Sequence, residues 1–223
     1  MFDWMLIMKI KNKKLSRSNR IETILKIAIS ASLGSLGIVL STIVVFVPNF
    51  ELISVTIFLV SLLFGVYYGL LTAVSVSLVY EFIITTIFGP ASYLIFFKLA
   101  SYVILALIAG LARKVFLKLS FWELGIFGSF FAVFYDIFIT LGFQVVVIQE
   151  KIVFSYLLFL LVQGIIFTII HVTTNFILFS LVKTLLNWIM DAFRARGLKQ
   201  LMLPSFSDNL EEKNMMISRE VEK

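Results

Sequence analysis

The chain has 223 residues, 61% of them hydrophobic and only 14% charged, with a net charge of +6. A soluble domain carries about 25% charged and about 45–50% apolar residues, so a water-solvated globule is excluded and lipid is the expected solvent. Cysteine is absent and His171 is the single histidine, which excludes a disulfide framework and leaves a transition-metal site short of ligands; no metal and no cofactor are expected.

The apolar runs are continuous rather than alternating, so helices and not barrel strands are expected to satisfy the backbone. Residues 1–23 form a basic N-terminal segment with Lys9, Lys11, Lys13, Lys14, Arg17 and Arg20. A crossing needs about 20 apolar residues. Ile24 to Val47 supplies the first, ended by Pro48; it is too long for a signal-peptide core and lacks a convincing cleavage site, so a retained helix is expected. Leu52 to Ile87 is too long for one crossing, and the paired glycines of Gly65-Val66-Tyr67-Tyr68-Gly69 mark a turn that splits it into two short helices. Phe88-Gly89-Pro90 is a breaker. Ala91–Ala112 is the fourth span, Phe121–Ile148 the fifth and Ile152 to about Leu186 the sixth. Beyond Met190 the chain turns polar, and residues 189–223 read as a tail.

The basic residues flank these spans, so topology explains them better than nucleic-acid binding. An inside N-terminus with six crossings leaves only Lys98 and Lys151 away from the cytoplasmic side; five crossings would put Arg194, Arg196 and Lys199 outside. The expected fold is an all-α integral membrane protein with six transmembrane helices over residues 24–188, both termini cytoplasmic, multi-pass in the cell (plasma) membrane.

Ionisable residues inside a span are expensive and mark functional candidates. Glu81 and Lys98 flank the breaker on successive helices and should lie at similar depth in the outer half. Two readings stay open: a structural ion pair, or the lining of a ligand cavity. Asp136 falls near the middle of its span, with a helix-bridging hydrogen bond as the simplest role. Gln144 and Gln163 lie in the outer halves of their spans and can reach the same chamber. His171 and Asn175 share one face of the sixth span as a packed, hydrogen-bonded pair. The outer loops bring Asn49, Phe50 and Glu51, and Ser92 and Tyr93, to the mouth; aromatic residues there are commonly interfacial anchors. In the first span Ala28, Ala31, Ser32 and Ser35 form a small-residue stripe, extended by Gly34 and Gly37, that lets another helix approach closely.

Taken together, these pieces resemble the substrate-binding S component of energy-coupling factor (ECF) transporters. The matching residues are the small-residue first helix, the Pro48-Asn49-Phe50-Glu51 loop, Leu63-Phe64-Gly65 followed by Gly69, the Gly89-Pro90 breaker, and His171…Asn175-Phe176 followed by Phe179. The resemblance covers roughly residues 24–188. It implies an importer subunit that captures a vitamin or related micronutrient from outside, with Asn49–Glu51 and Gly89–Tyr93 capping the site. It also implies that Ala28, Ala31, Ser32 and Ser35 dock on a transmembrane coupling subunit, with two ATPase subunits completing the complex. The expected substrate-binding set is Asn49, Glu51, Glu81, Tyr93, Lys98, Gln144 and Gln163. The chain has no phosphate-cradling loop of its own, and with one His, no Cys and one deep Asp it is not expected to be an enzyme. The alternative is a structural membrane scaffold subunit resembling the MreD family, in which Glu81 and Lys98 would be a plain ion pair.

Overall fold

A computed structural model describes residues 2–47, 49–50, 52–88, 94–148, 154–198 and 201, with backbone alone at 2–19, 88, 147 and 148. Among these residues there is no strand. The helices are α1 (Phe2–Ile43), α2 (Leu52–Phe64), α3 (Val66–Phe88), α4 (Ile95–Leu111), α5 (Arg113–Phe116), α6 (Phe121–Phe143), α7 (Phe154–Gln163) and α8 (Ile165–Ala195), and α6 continues into a π-helical turn at Gln144–Ile148. Four stretches are long and apolar enough to cross a membrane: Arg20–Ile43, Val66–Ile87, Phe121–Val146 and Ile165–Ala195. They mark the chain as a membrane protein. Leu52–Phe64, Ile95–Leu111 and Phe154–Gln163 are shorter apolar helices.

The chain divides into two units. One joins residues up to Ile29 with those from Leu186 onward, and the other is Ser30–Leu185. In the first, Leu186, Met190 and Phe193 are buried along one face of α8, and Glu22 pairs with Lys26 one turn on, the favourable order for an i,i+4 pair.

The second unit is built around α2. A helix that is apolar all round is buried all round, and every α2 residue except Leu52 and Thr56 is buried. Phe58 is its centre, with ring centroids 5.1 Å from Phe116, 5.3 Å from Phe127 and 5.0 Å from Phe179. The surrounding helices turn apolar side chains outward: Leu36, Phe82, Phe96, Phe130 and Ile166 are all exposed. Water would not tolerate such a surface; hydrocarbon does.

The apolar stretch from Leu52 splits at Gly65 alone, whose φ of +89° suits glycine. Gly69, expected within the turn, instead lies inside α3, where a Cβ would collide with Ser61. The second glycine is there for close approach, not for turning. On α1, Ser30, Gly34, Gly37 and Ser41 are buried; Gly34 abuts Val76 and Gly37 abuts Thr56. These glycines therefore belong to the inward face. Ala28, Ala31, Ser32 and Ser35 are exposed on another face of the helix.

One end of this unit is tied by basic side chains that cap helix carbonyls. Arg113 donates from Nε to the Leu62 carbonyl and from Nη2 to that of Leu63, and its burial lowers its pKa below the ordinary guanidinium value. Lys183 Nζ donates to the carbonyls of Leu117 and Leu119 at 2.8 and 3.0 Å. The last carbonyls of a helix have no partner within it, and a cation there satisfies both the hydrogen bond and the dipole. Ser120 starts α6 with a capping box closed by Glu123.

α3 and α4 are held in close contact at Gly110, where a Cβ would lie 2.6 Å from the Val66 Cα and 2.7 Å from its nitrogen. Backbone cannot yield as a side chain can. Gly110→Ala is therefore expected to cost about 1–3 kcal/mol. At Gly164 the nearest atom to a new Cβ is 3.5 Å away, so Gly164→Ala should be neutral. Unfolding of the two variants in detergent, followed by circular dichroism, checks the contrast; equal losses would contradict the close-approach account.

Candidate functional site

The polar residues of the second unit gather at the end opposite Arg113, around a cavity of about 350 Å³. That lies within the range of about 300–1,000 Å³ typical of small-molecule sites. Four segments line it: Asn49 from the α1–α2 loop, Lys98 from α4, Tyr135, Asp136, Ile139 and Thr140 from α6, and Leu160, Leu161, Gly164, Phe167, Thr168 and His171 from α7 and α8. The α6 set follows i, i+1, i+4, i+5 and so shares one face. The α7–α8 set keeps one face across Gly164, where helical hydrogen bonds persist: Gly164 N–H donates to Leu160 and Thr168 N–H to Gly164, both at 3.0 Å.

Two ionisable pairs stand in the wall. Lys98 donates to Glu81 Oε1, and Glu81 is only 4% exposed. The counting that put both at one depth on successive helices locates this contact. His171 Nδ1 meets Asp136 Oδ1 at 2.8 Å, with the Tyr135 ring edge-on to the imidazole at 5.6 Å. The expected bridging role of Asp136 is thus exercised toward α8; the Thr140 hydroxyl donates to the Asp136 backbone carbonyl instead. Behind His171 the polar chain continues inward. Asn175 Nδ2 donates to the His171 carbonyl at 3.1 Å, and the Ser54 hydroxyl of α2 reaches Asn175 Oδ1 at 3.4 Å.

Asn49 ties a loop to the cavity wall. Its φ of 56° lies in the left-handed region, which asparagine tolerates better than most residues. That conformation lets its side chain donate to the Phe167 carbonyl at 2.8 Å while its own carbonyl accepts from Thr174 Oγ1 at 3.0 Å. One residue pins the loop to α8.

Of the substrate-binding candidates read from sequence, Asn49 and Lys98 line the cavity and Glu81 joins it through Lys98. Gln144 is fully buried at the start of the π-helical turn and is not among the lining residues, while Gln163 is exposed at the end of α7. Glu51 and Tyr93 lie outside the described residues, as do Pro48 and Gly89–Ser92. The polar lining residues that sequence reasoning left outside the candidate set are Asp136, His171, Tyr135, Thr140 and Thr168. Among the described residues no cluster of three or more His, Asp or Glu could hold a metal ion. The arrangement is suited to holding a small molecule: an apolar floor with a few fixed polar groups.

No protein-family model, no curated protein and no solved structure matches the chain.

Removing one partner of a buried ion pair leaves an uncompensated charge at a cost of about 3–5 kcal/mol. Lys98→Met is expected to lose stability on that scale because it strands Glu81. The double variant Glu81→Gln/Lys98→Met should recover most of the loss. A double-mutant cycle by chemical unfolding checks it, and strictly additive single losses would show that the two groups do not act as a pair.

Proposed function

We propose that the chain is the substrate-binding S component of an ECF-type importer, taking up a vitamin or related small molecule across the plasma membrane. The observation that carries this reading is the cavity of about 350 Å³, polar on selected points and apolar elsewhere, with Asn49 in its lining tying the α1–α2 loop to α8. A scaffold needs no such chamber.

The same reading organises the topology. Six crossings are α1, α2, α3, α4, α6 and the α7–α8 pair, with both termini in the cytoplasm. α2 has 13 residues and rises about 20 Å, short of the roughly 30 Å hydrocarbon core. Protein-covered ends can stop at membrane depth, and α2 is covered along its length. The Arg113 end then faces the cytoplasm, as the positive-inside bias asks, and the cavity faces outward. Ala28, Ala31, Ser32 and Ser35 offer a small-residue face to a transmembrane coupling subunit, where close backbone approach favours helix packing. Two ATPase subunits would supply the nucleotide chemistry.

The test is a thermal-shift screen of the purified protein in detergent against water-soluble vitamins and their precursors. A ligand at 100 times its dissociation constant stabilises the folded state by about 2.7 kcal/mol. A selective shift that falls in Asn49→Ala and in Asp136→Ala is the expected result. No shift with any compound, from well-folded protein, would move the reading to the scaffold subunit, for which the Glu81–Lys98 pair alone suffices.

A further inference from the structure

Three polar groups of the cavity donate within the protein: the Asn49 amide to Phe167, the Thr140 hydroxyl to Asp136, and the Lys98 ammonium to Glu81. Asp136 Oδ2, on a lining residue, is buried and has no hydrogen-bond partner among the described residues, and Glu81 Oε2, behind Lys98, is likewise buried without one. A buried carboxylate oxygen without a donor costs about 1–3 kcal/mol, more when it is charged, so such atoms call for a role.

Charge points the same way. Lys98 and Glu81 cancel, which removes the cation that would otherwise draw an anionic ligand. Asp136 is engaged on one oxygen only, by the His171 imidazole. Asp136, which lines the cavity, thus carries one buried carboxylate oxygen without a partner, beside the apolar surface of Ile139, Leu160, Leu161 and Phe167.

We infer that the ligand is an organic cation: a small molecule with a protonated amine or amidine seated on Asp136 Oδ2 and an apolar or aromatic body against Ile139, Leu160, Leu161 and Phe167. This rests on the binding-subunit reading and narrows it to one substrate class. His171 orients the carboxylate by occupying Oδ1, so Oδ2 is the oxygen left for the ligand.

The test compares three indole probes that differ in one terminal group, using full-length protein in detergent at pH 7. Tryptamine carries an ammonium, N-acetyltryptamine a neutral amide and indole-3-propionate a carboxylate. Tryptamine alone is expected to raise the melting temperature. Asp136→Asn keeps the shape and an acceptor toward His171, and should weaken tryptamine at least about tenfold, the scale of a charge-assisted hydrogen bond. The acetylated probe removes the charge from the ligand, so the test stands even where a variant fails to fold. Stabilisation by indole-3-propionate, equal stabilisation by all three, or undiminished tryptamine binding to Asp136→Asn overturns the inference. If tryptamine is silent while a neutral or anionic vitamin stabilises the protein, the cation class falls and the binding-subunit reading stands. Silence from the probes and the vitamin panel together overturns both.

Discussion

Hydrocarbon offers no hydrogen bonds, and that single constraint arranges the polar atoms of the Ser30–Leu185 unit. A charge within a membrane helix must find its counterpart inside the protein or remain near the polar surface. Glu81 finds Lys98 on the next helix, and Asp136 finds His171 two helices on. Each pair fixes the rotation of two helices whose surfaces are otherwise apolar on every side. The pairs therefore set the azimuth of α3 against α4 and of α6 against α8, and the cavity is what lies between them.

At the opposite end the same constraint falls on backbone carbonyls. α2 ends inside the protein, where its last carbonyls would be stranded, and Arg113 reaches across with its planar fork to take two of them. A lysine there could present its charge but not that fixed pair of donors. Lys183 plays the simpler part for the turn after α5. Basic residues at this end thus close helix ends that the core would otherwise leave open.

Much of this was legible in the residues, and the gaps have physical causes. The four long apolar stretches follow from hydropathy alone. The meeting of Glu81 and Lys98 follows from counting residues on either side of the Gly89-Pro90 breaker, because neighbouring antiparallel helices share a depth scale. The contact of Asp136 with His171 does not follow from counting, since Asp136 lies 12 residues before the end of its expected span and His171 lies 19 past the start of the next. The available signal was scarcity: one deep aspartate and one histidine in apolar surroundings have few other partners. Rotation was the real loss. α3 and α6 are apolar nearly all round, so nothing in their patterns says which side faces in, and Gln144 and Gln163 could be given a depth but no direction. Glycine was ambiguous for a related reason. Gly65 turns the chain and Gly69 admits Ser61, two uses of the same missing side chain that a sequence writes identically. Gly34 and Gly37 face inward while the Ala28 stripe faces out, a distinction of about 100° per residue that small size alone cannot reveal.

The closeness of Glu81 and Lys98 along the chain bears on how the protein enters its bilayer. An unpaired lysine among apolar helices is costly in hydrocarbon. Lys98 need not bear that cost alone, because its partner Glu81 lies only 17 residues upstream and the loop to be closed is small. α3 and α4 can therefore neutralise each other's charge while the rest of the chain is still being synthesised. His171 follows much later, so Asp136 waits until α8 arrives. The order of synthesis thus assembles a charge-balanced half first and completes the chamber last.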